Sequence, residues 1–265
     1  MSTAVPLPGQ TTLRMQRQHL PMLLTVAWKN VRLRYKSSLF GFLWTLFNPL
    51  LFLLIFLFIF SRAFAQVENY PVFALTGLIF WSFFATTSAH ILSSVVDNAH
   101  VLRSLAVPAQ VFPLAQLMAG LFNLLVSFIP FAFILAWFGW RPVPATLLVI
   151  PVVALFASFL FGLSLALCAL NVYFRDIGIL WSALLPALFY LTPVAYPPDL
   201  VPADLRWVAS LNPLYHFIGL VRVVLYDGQI PGPELWVPAI GLSLIALLGG
   251  LSVFNLLRRG FIANY

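Results

Sequence analysis

Six stretches of about 20 or more predominantly apolar residues, enough to cross the hydrocarbon core of a bilayer, recur along the chain, and no carboxylate falls inside any of them. They run from about Leu39 to Phe60, Pro71 to Val96, Ala109 to Phe138, Ala145 to Leu170, Ile177 to Tyr196 and Val237 to Leu257. Polar or charged residues close most of them, among them Arg62, Asp97, Arg141, Asn171 and the Arg258-Arg259 pair; Pro193, Pro197 and Pro198 break the fifth. A soluble domain of 265 residues, 62% hydrophobic and 8% charged with mean hydropathy +0.99, could not bury that much apolar surface. Lipid must be the solvent. The expected fold is an all-α polytopic membrane protein with six transmembrane helices over residues 39–265, preceded by an N-terminal region over 1–38.

The net charge of +7 would suggest nucleic acid for a soluble protein, but here the cations lie beside the apolar spans. An even number of spans puts both termini on one side, together with Arg14, Arg17, Lys29, Arg32, Arg34, Lys36, Arg103, Arg175, Arg258 and Arg259. The other side receives Arg62, Arg141, Arg206 and Arg222, along with five of the seven acids. Lys and Arg accumulate on the cytoplasmic side, so both termini are expected there, in a multi-pass inner-membrane protein. The N-terminus lacks the short apolar run and small-residue cleavage site of a signal peptide, and the first span reads as a retained anchor. The single cysteine, Cys168, allows no intramolecular disulfide and no cysteine-built metal site.

Two segments outside the spans carry their own pattern. Leu20, Leu24, Ala27, Val31 and Tyr35 repeat at helical spacing while Lys29, Arg32 and Lys36 fall on the opposite face, with Trp28 at the edge. An amphipathic helix lying in the headgroup plane is expected there. Residues 197–236 hold two shorter candidates, around Ala203 to Ser210 and Pro213 to Tyr226, separated by Asn212-Pro213. Neither is suited to span alone, and short segments of this kind dip into the bilayer or cap a pore mouth.

Chemistry on the chain itself is sparse. A coupled carrier keeps an ionisable group near the bilayer centre, and His90 is the sole titratable candidate of that kind. No paired acids, nucleophile with its base or metal-ligand spacing assembles a catalytic site, so no enzyme activity and no metal are expected. A phosphate-binding loop needs Gly-Lys followed by Ser or Thr, whereas the only lysines, Lys29 and Lys36, follow Trp28 and Tyr35. Energy from ATP would have to come through a partner.

Arg32-Leu33-Arg34-Tyr35-Lys36 leads into Leu39-Phe40-Gly41-Phe42-Leu43-Trp44 and then Asn48-Pro49. Asn171-Val172-Tyr173-Phe174-Arg175-Asp176-Ile177 joins the fourth and fifth spans. Thr192-Pro193-Val194-Ala195-Tyr196-Pro197 and Leu211-Asn212-Pro213-Leu214, followed by Arg222, close the fifth span and the segment after it. In this order, over nearly the whole chain, they resemble the membrane (permease) subunits of bacterial ATP-binding-cassette exporters for cell-surface polysaccharides such as O-antigen, capsule and teichoic acid.

That resemblance implies a homodimer docked on two copies of a cytoplasmic ATPase, which would bind ATP and Mg while this chain binds no cofactor. It implies a coupling loop over residues 97–107, with Asp97, His100, Leu102 and Arg103 as contacts, and a second contact at Arg175 and Asp176. The latter pair serves equally as a helix cap and surface ion pair, worth little energetically. Aromatic side chains would line the conduit, because sugar C–H faces slide on rings without fixed polar partners. Phe56, Phe60, Phe84, Tyr190 and Tyr196 are the candidates, and each reads equally as a helix-packing residue. Arg32, Arg34 and Lys36 would contact the phosphates of a lipid-linked glycan, although they serve the inside orientation without any substrate. Residues 197–236 would form an external gate. A drug or lipid exporter of the same architecture, and more remotely an ATP-independent channel, are the alternatives.

Overall fold

A computed structural model describes residues 21–33, 36, 44–60, 62–104, 107–139 and 143–261. Every regular element among them is helical. Residues 21–33 form α1, followed by α2 (Trp44–Phe60), α3 (Tyr70–Asp97), the short α4 (Ala99–Ser104), α5 (Val111–Trp137), α6 (Val149–Tyr173), α7 (Asp176–Leu191), the short α8 (Arg206–Leu211), α9 (Pro213–Leu225) and α10 (Pro233–Leu257).

Among the described residues, four helical stretches are long and apolar enough to cross a membrane: Tyr70–Ser104, Val111–Trp137, Pro144–Tyr173 and Pro233–Gly260. A fifth is reached if α8 and α9, which meet at 97°, are taken as one bent span. The other two expected spans appear as apolar helices of 17 residues (α2) and 16 residues (α7). At 1.5 Å per residue these are about 25 Å long, short of the roughly 30 Å hydrocarbon core. The first expected span begins at Leu39, and residues 39–43 lie outside the described residues.

Local chemistry explains where the helices stop. The fifth span was expected to reach Tyr196, but α7 ends at Leu191. Thr192 precedes Pro193, and the proline ring drives it into extended backbone (φ −99°, ψ 132°). Asn212 caps α9 by accepting from the Leu214 N–H at 3.0 Å, and Pro213 occupies the first helical turn, where no N–H is needed. Gly139 closes α5 in the left-handed region (φ +77°).

The helix α3 is the centre of the bundle. It touches α2, α5, α6, α7 and α9, and most of its side chains are buried. Phe80 and Phe84 stack on Phe156 of α6, which in turn stacks on Phe217 of α9 at 5.0 Å between centroids. The longest helix-to-helix contact is α6 with α10, where Gly162 and Gly250 bring the two backbones together. Of the apolar face expected on α1, Ala27 and Val31 are buried but Leu24 is exposed, as are Lys29 and Arg32 of the opposite face, and Trp28 meets Phe122 of α5 edge to face at 6.3 Å. Leu20, Arg34 and Tyr35 lie outside the described residues.

Candidate functional site

Starting between α2, α3 and α7, a groove of about 370 Å³ is lined by Phe52, Trp81, Phe189 and Tyr190 together with the polar Asn48, Ser82, Thr86 and Ser182. Phe189 is the hub, with ring centroids 5.3 Å from Trp81, 6.1 Å from Phe56, 6.2 Å from Phe52 and 5.3 Å from Tyr190. From Phe56 the rings continue to Phe60, Phe64, Tyr70, Phe73 and Tyr226, each within 6.3 Å of the next. One row of aromatic side chains thus runs from mid-bundle to the end of the molecule where α2 stops and α3 begins.

At that end the chain after α7 is fastened by three neighbours. Arg222 of α9, though 6% exposed, donates through Nη1 to the Pro193 carbonyl and through Nη2 to the Val194 carbonyl, both at 2.5 Å. Its guanidinium lies 3.8 Å from the centre of the Phe73 ring, a cation–π contact in a desolvated setting. Tyr70 Oη donates to the Ala195 carbonyl at 2.9 Å, and the Asn212 amide donates to Thr192 Oγ1 at 2.8 Å. Gly77 makes room for this turn: a Cβ there would fall 2.0 Å from the Val194 oxygen. Tyr226 Oη donates to the Glu68 carbonyl, joining the start of α3 to the end of α9. Beside it, burial pushes the Asp227 carboxyl up from its ordinary value, against the opposing pull of Arg222.

The sequence-chosen residues fall into four places. Phe56, Phe60 and Tyr190 belong to the aromatic row, and Tyr196 joins them by donating from Oη to the Tyr190 carbonyl at 2.9 Å. Phe84 sits in the core, 1% exposed between Phe156 and Trp181, and reaches the groove through Trp81, 5.9 Å away between ring centroids. At the opposite end of the bundle Asp97 ends α3, accepting from Ser93 Oγ at 2.6 Å, and α4 presents His100 and Arg103 outward while Leu102 is buried. Arg175 and Asp176 are exposed at the start of α7, and Asn171 ties that turn down by accepting from the Gly178 N–H. Arg32 is exposed on α1, near Trp28; Lys36 is exposed in a turn. Phe189, Trp81 and the grip of Arg222 on the turn escaped sequence reasoning. A cation inside the apolar run of α9 was the available signal for the last of these.

Residues 22–226 match the pattern of the family described as ABC-2 type transporter. The chain belongs to the ABC-2 type transporter family. Among its ABC-2 relatives, the O-antigen export system permease protein RfbA of Klebsiella pneumoniae is 34% identical over 243 residues, 91% of this chain and 93% of the relative. A protein of the same description from Myxococcus xanthus is 29% identical over 92% of this chain and 95% of its own length. The capsule polysaccharide export inner-membrane protein CtrC of Neisseria meningitidis serogroup A is 25% identical over 86% of this chain and 87% of its own length. The ABC-2 match begins within α1 and ends at Tyr226, and so takes in the aromatic row, the fastened turn and α9.

Proposed function

We propose that this chain is the permease subunit of an ATP-binding-cassette exporter carrying a lipid-linked polysaccharide, of O-antigen or capsule type, across the inner membrane. The carrying observation is the unbroken row of rings from the groove at Phe189 to Phe73 and Arg222. At the groove end the exposed Phe52 and Tyr190 and the half-buried Phe56, Phe60 and Phe189 lie beside hydroxyl and amide groups and offer a sugar chain repeated weak contacts, while Phe64, Tyr70 and Phe73 are buried and carry the row on inside the bundle; conduction needs binding weak enough to release at every step. The names of the relatives support the same substrate class.

In this reading the working unit is a homodimer of six-span protomers (residues 39–265), with both termini cytoplasmic and the short α8–α9 pair dipping into the outer side as part of the external gate (197–236). Two ATPase subunits hold ATP and Mg; the loop 97–107 with Asp97, His100, Leu102 and Arg103, and the turn at Arg175 and Asp176, meet them. Phe56, Phe60, Tyr190 and Tyr196 line the path. Arg32, Arg34 and Lys36 on the N-terminal segment hold the diphosphate end of the lipid by bidentate and point-charge contacts.

Deleting the gene in its host and restoring it with tagged variants tests the assignment. Deletion is expected to abolish surface glycan, and the tagged chain to bring down an ATPase in equal ratio. Phe189→Ala, which removes the hub of the row, is expected to cut surface glycan several-fold at normal protein level. Intact surface glycan in the deletion strain, with the tagged chain eluting alone, would overturn it.

A further inference from the structure

The aromatic row changes character along its length. Phe56, Phe60 and Phe189 are half-buried and Tyr190 is exposed, whereas Phe64, Tyr70 and Phe73 are only 5–6% exposed. The inner half faces the groove and the outer half is shut away. Part of what shuts it is the chain that follows α7, residues 192–197, of which Thr192, Pro193, Val194 and Ala195 are buried. Tyr70 donates to the Ala195 carbonyl, and Arg222 joins the Phe73 ring to the Pro193 and Val194 carbonyls. This segment and the guanidinium together therefore cover the two outer rings.

The segment is held differently from the helices around it. Its backbone bonds are local: Thr192 N–H donates to the Leu188 carbonyl at 2.9 Å and Val194 N–H to the Thr192 carbonyl at 2.6 Å, while Pro193 and Pro197 have no N–H to give. Among the described residues, the hydrogen bonds that fasten it to α3 and α9 all come from side chains: Tyr70 of α3, Arg222 of α9 and Asn212, the cap of α9. Side-chain donors can let go by a change of rotamer, without breaking any helix. Gly77 gives the segment its seat, a recess in α3 that takes the Val194 oxygen. The seal is also a polar one. Arg222 is 6% exposed and its Nε has no acceptor, although its two terminal nitrogens hold the turn. An apolar seal would be more stable than a buried guanidinium with a donor unmet. Pro193, Pro197 and Pro198 keep the segment from winding into a longer α7, so it retains its reach when released.

We propose that residues 192–197 are a strap, latched by Arg222, Tyr70 and Asn212, that closes the outer half of the aromatic row at rest and lifts off α3 as a sugar chain passes. Lifting uncovers Tyr70 and Phe73, and the row from Phe189 then runs open to Tyr226. The lifting rests on the glycan-export reading for what passes, whereas the latch is a property of the chain alone.

Cysteine reporters on the strap of the full chain supply the test. Val194→Cys and Ala195→Cys leave in place the backbone carbonyls that the latch holds, and the residues they replace are 0% and 2% exposed. Cys168 is buried, and each rate is read as the difference from the chain without the reporter. In lipid nanodiscs a charged methanethiosulfonate should label both reporters about tenfold or more slower than Gln229→Cys, at an exposed position on the same end of the bundle. Tyr70→Phe keeps the ring but removes the donor to Ala195, and should speed labelling of the strap by about threefold or more. Labelling of both reporters as fast as Gln229→Cys, or no acceleration by Tyr70→Phe, would overturn the latch. In living cells the strap should label about tenfold faster while the glycan is being made than when its synthesis is blocked at the first sugar. Equal rates in the two conditions, with glycan reaching the surface in the first, would overturn the lifting. Intact surface glycan in the deletion strain would fault the export reading instead, and the nanodisc rates would still decide the latch.

Discussion

Two backbone carbonyls, those of Pro193 and Val194, lie in a buried turn that belongs to no helix, and Arg222 satisfies both. A buried carbonyl left without a donor costs about 1–3 kcal/mol. Arg222→Met keeps the apolar contact with Phe73 but strands both oxygens, so it is expected to destabilise the solubilised protein by about 2–5 kcal/mol. Arg222→Lys should recover little of this, because a single ammonium on a flexible stem cannot bridge two carbonyls while lying flat over the ring. Thermal unfolding in detergent reads both, and a melting temperature unchanged in Arg222→Met would show that the turn is held by other contacts. Gly77→Ala acts on the same turn from the α3 side. Its new Cβ meets the Val194 oxygen at 2.0 Å, so the turn must move, at about 1–3 kcal/mol. Sequence alone marked Thr192–Pro197 and Arg222 as belonging to one region, but a hydrogen bond across 29 residues has no local signature. Nor does Gly77 differ in sequence from the glycines that touch nothing.

At the scale of elements, the long spans were legible because lipid imposes length and uniform apolarity. The expected limits Pro71 to Val96 and Val237 to Leu257 agree with α3 (Tyr70–Asp97) and α10 (Pro233–Leu257) to within a few residues. The same uniformity hid which face of each span is buried: α6 and α10 are apolar all round, so periodicity could not say that they pair. Their pairing depends on small residues. A Cβ on Gly250 would lie 1.9 Å from the Gly162 carbonyl oxygen, and one on Gly162 would lie 2.3 Å from the Ala246 carbonyl. Helices in lipid gain from close backbone approach rather than from a hydrophobic drive between them. Gly250→Val is therefore expected to force α10 off α6 and abolish the monodisperse peak in size-exclusion chromatography of the tagged protein. Gly249→Ala, one residue away with nothing within 4 Å of its Cβ, should leave that peak intact and raise stability by up to about 1 kcal/mol through helix propensity. Equal behaviour of the two variants would refute the close contact. The aromatic row was half legible: Phe56, Phe60, Tyr190 and Tyr196 were chosen for their place on the first and fifth spans, but one phenylalanine among 26 carries no mark that makes it a hub.

For the whole molecule the number of crossings decides where the two ends lie, and the bent α8–α9 pair controls that number. If α2, α3, α5, α6, α7 and α10 all cross and the pair only dips, six crossings return the C-terminus to the side of the N-terminus. If the pair crosses as one bent span, the count is odd and the termini separate. The helices α2 and α7, at about 25 Å, need only modest thinning of the bilayer or additional flanking residues to cross, each at fractions of a kcal/mol per Å. The α8–α9 pair turns through 97°, and Arg222 is buried within it rather than held toward headgroups. A bent pair fastened to the α7 turn on one end of the bundle favours the dip. Charge agrees, since six crossings gather ten of the fourteen Lys and Arg residues on one side, whereas separation of the termini would split Arg258 and Arg259 from the N-terminal cluster. Fusing a reporter that fluoresces only in the cytoplasm to either end should light up in both cases, and a periplasm-only phosphatase reporter inserted after Gly228 should be active. Fluorescence at one end alone would make the count odd, so that either the pair crosses or one of the short helices α2 and α7 does not, and would overturn the six-crossing arrangement.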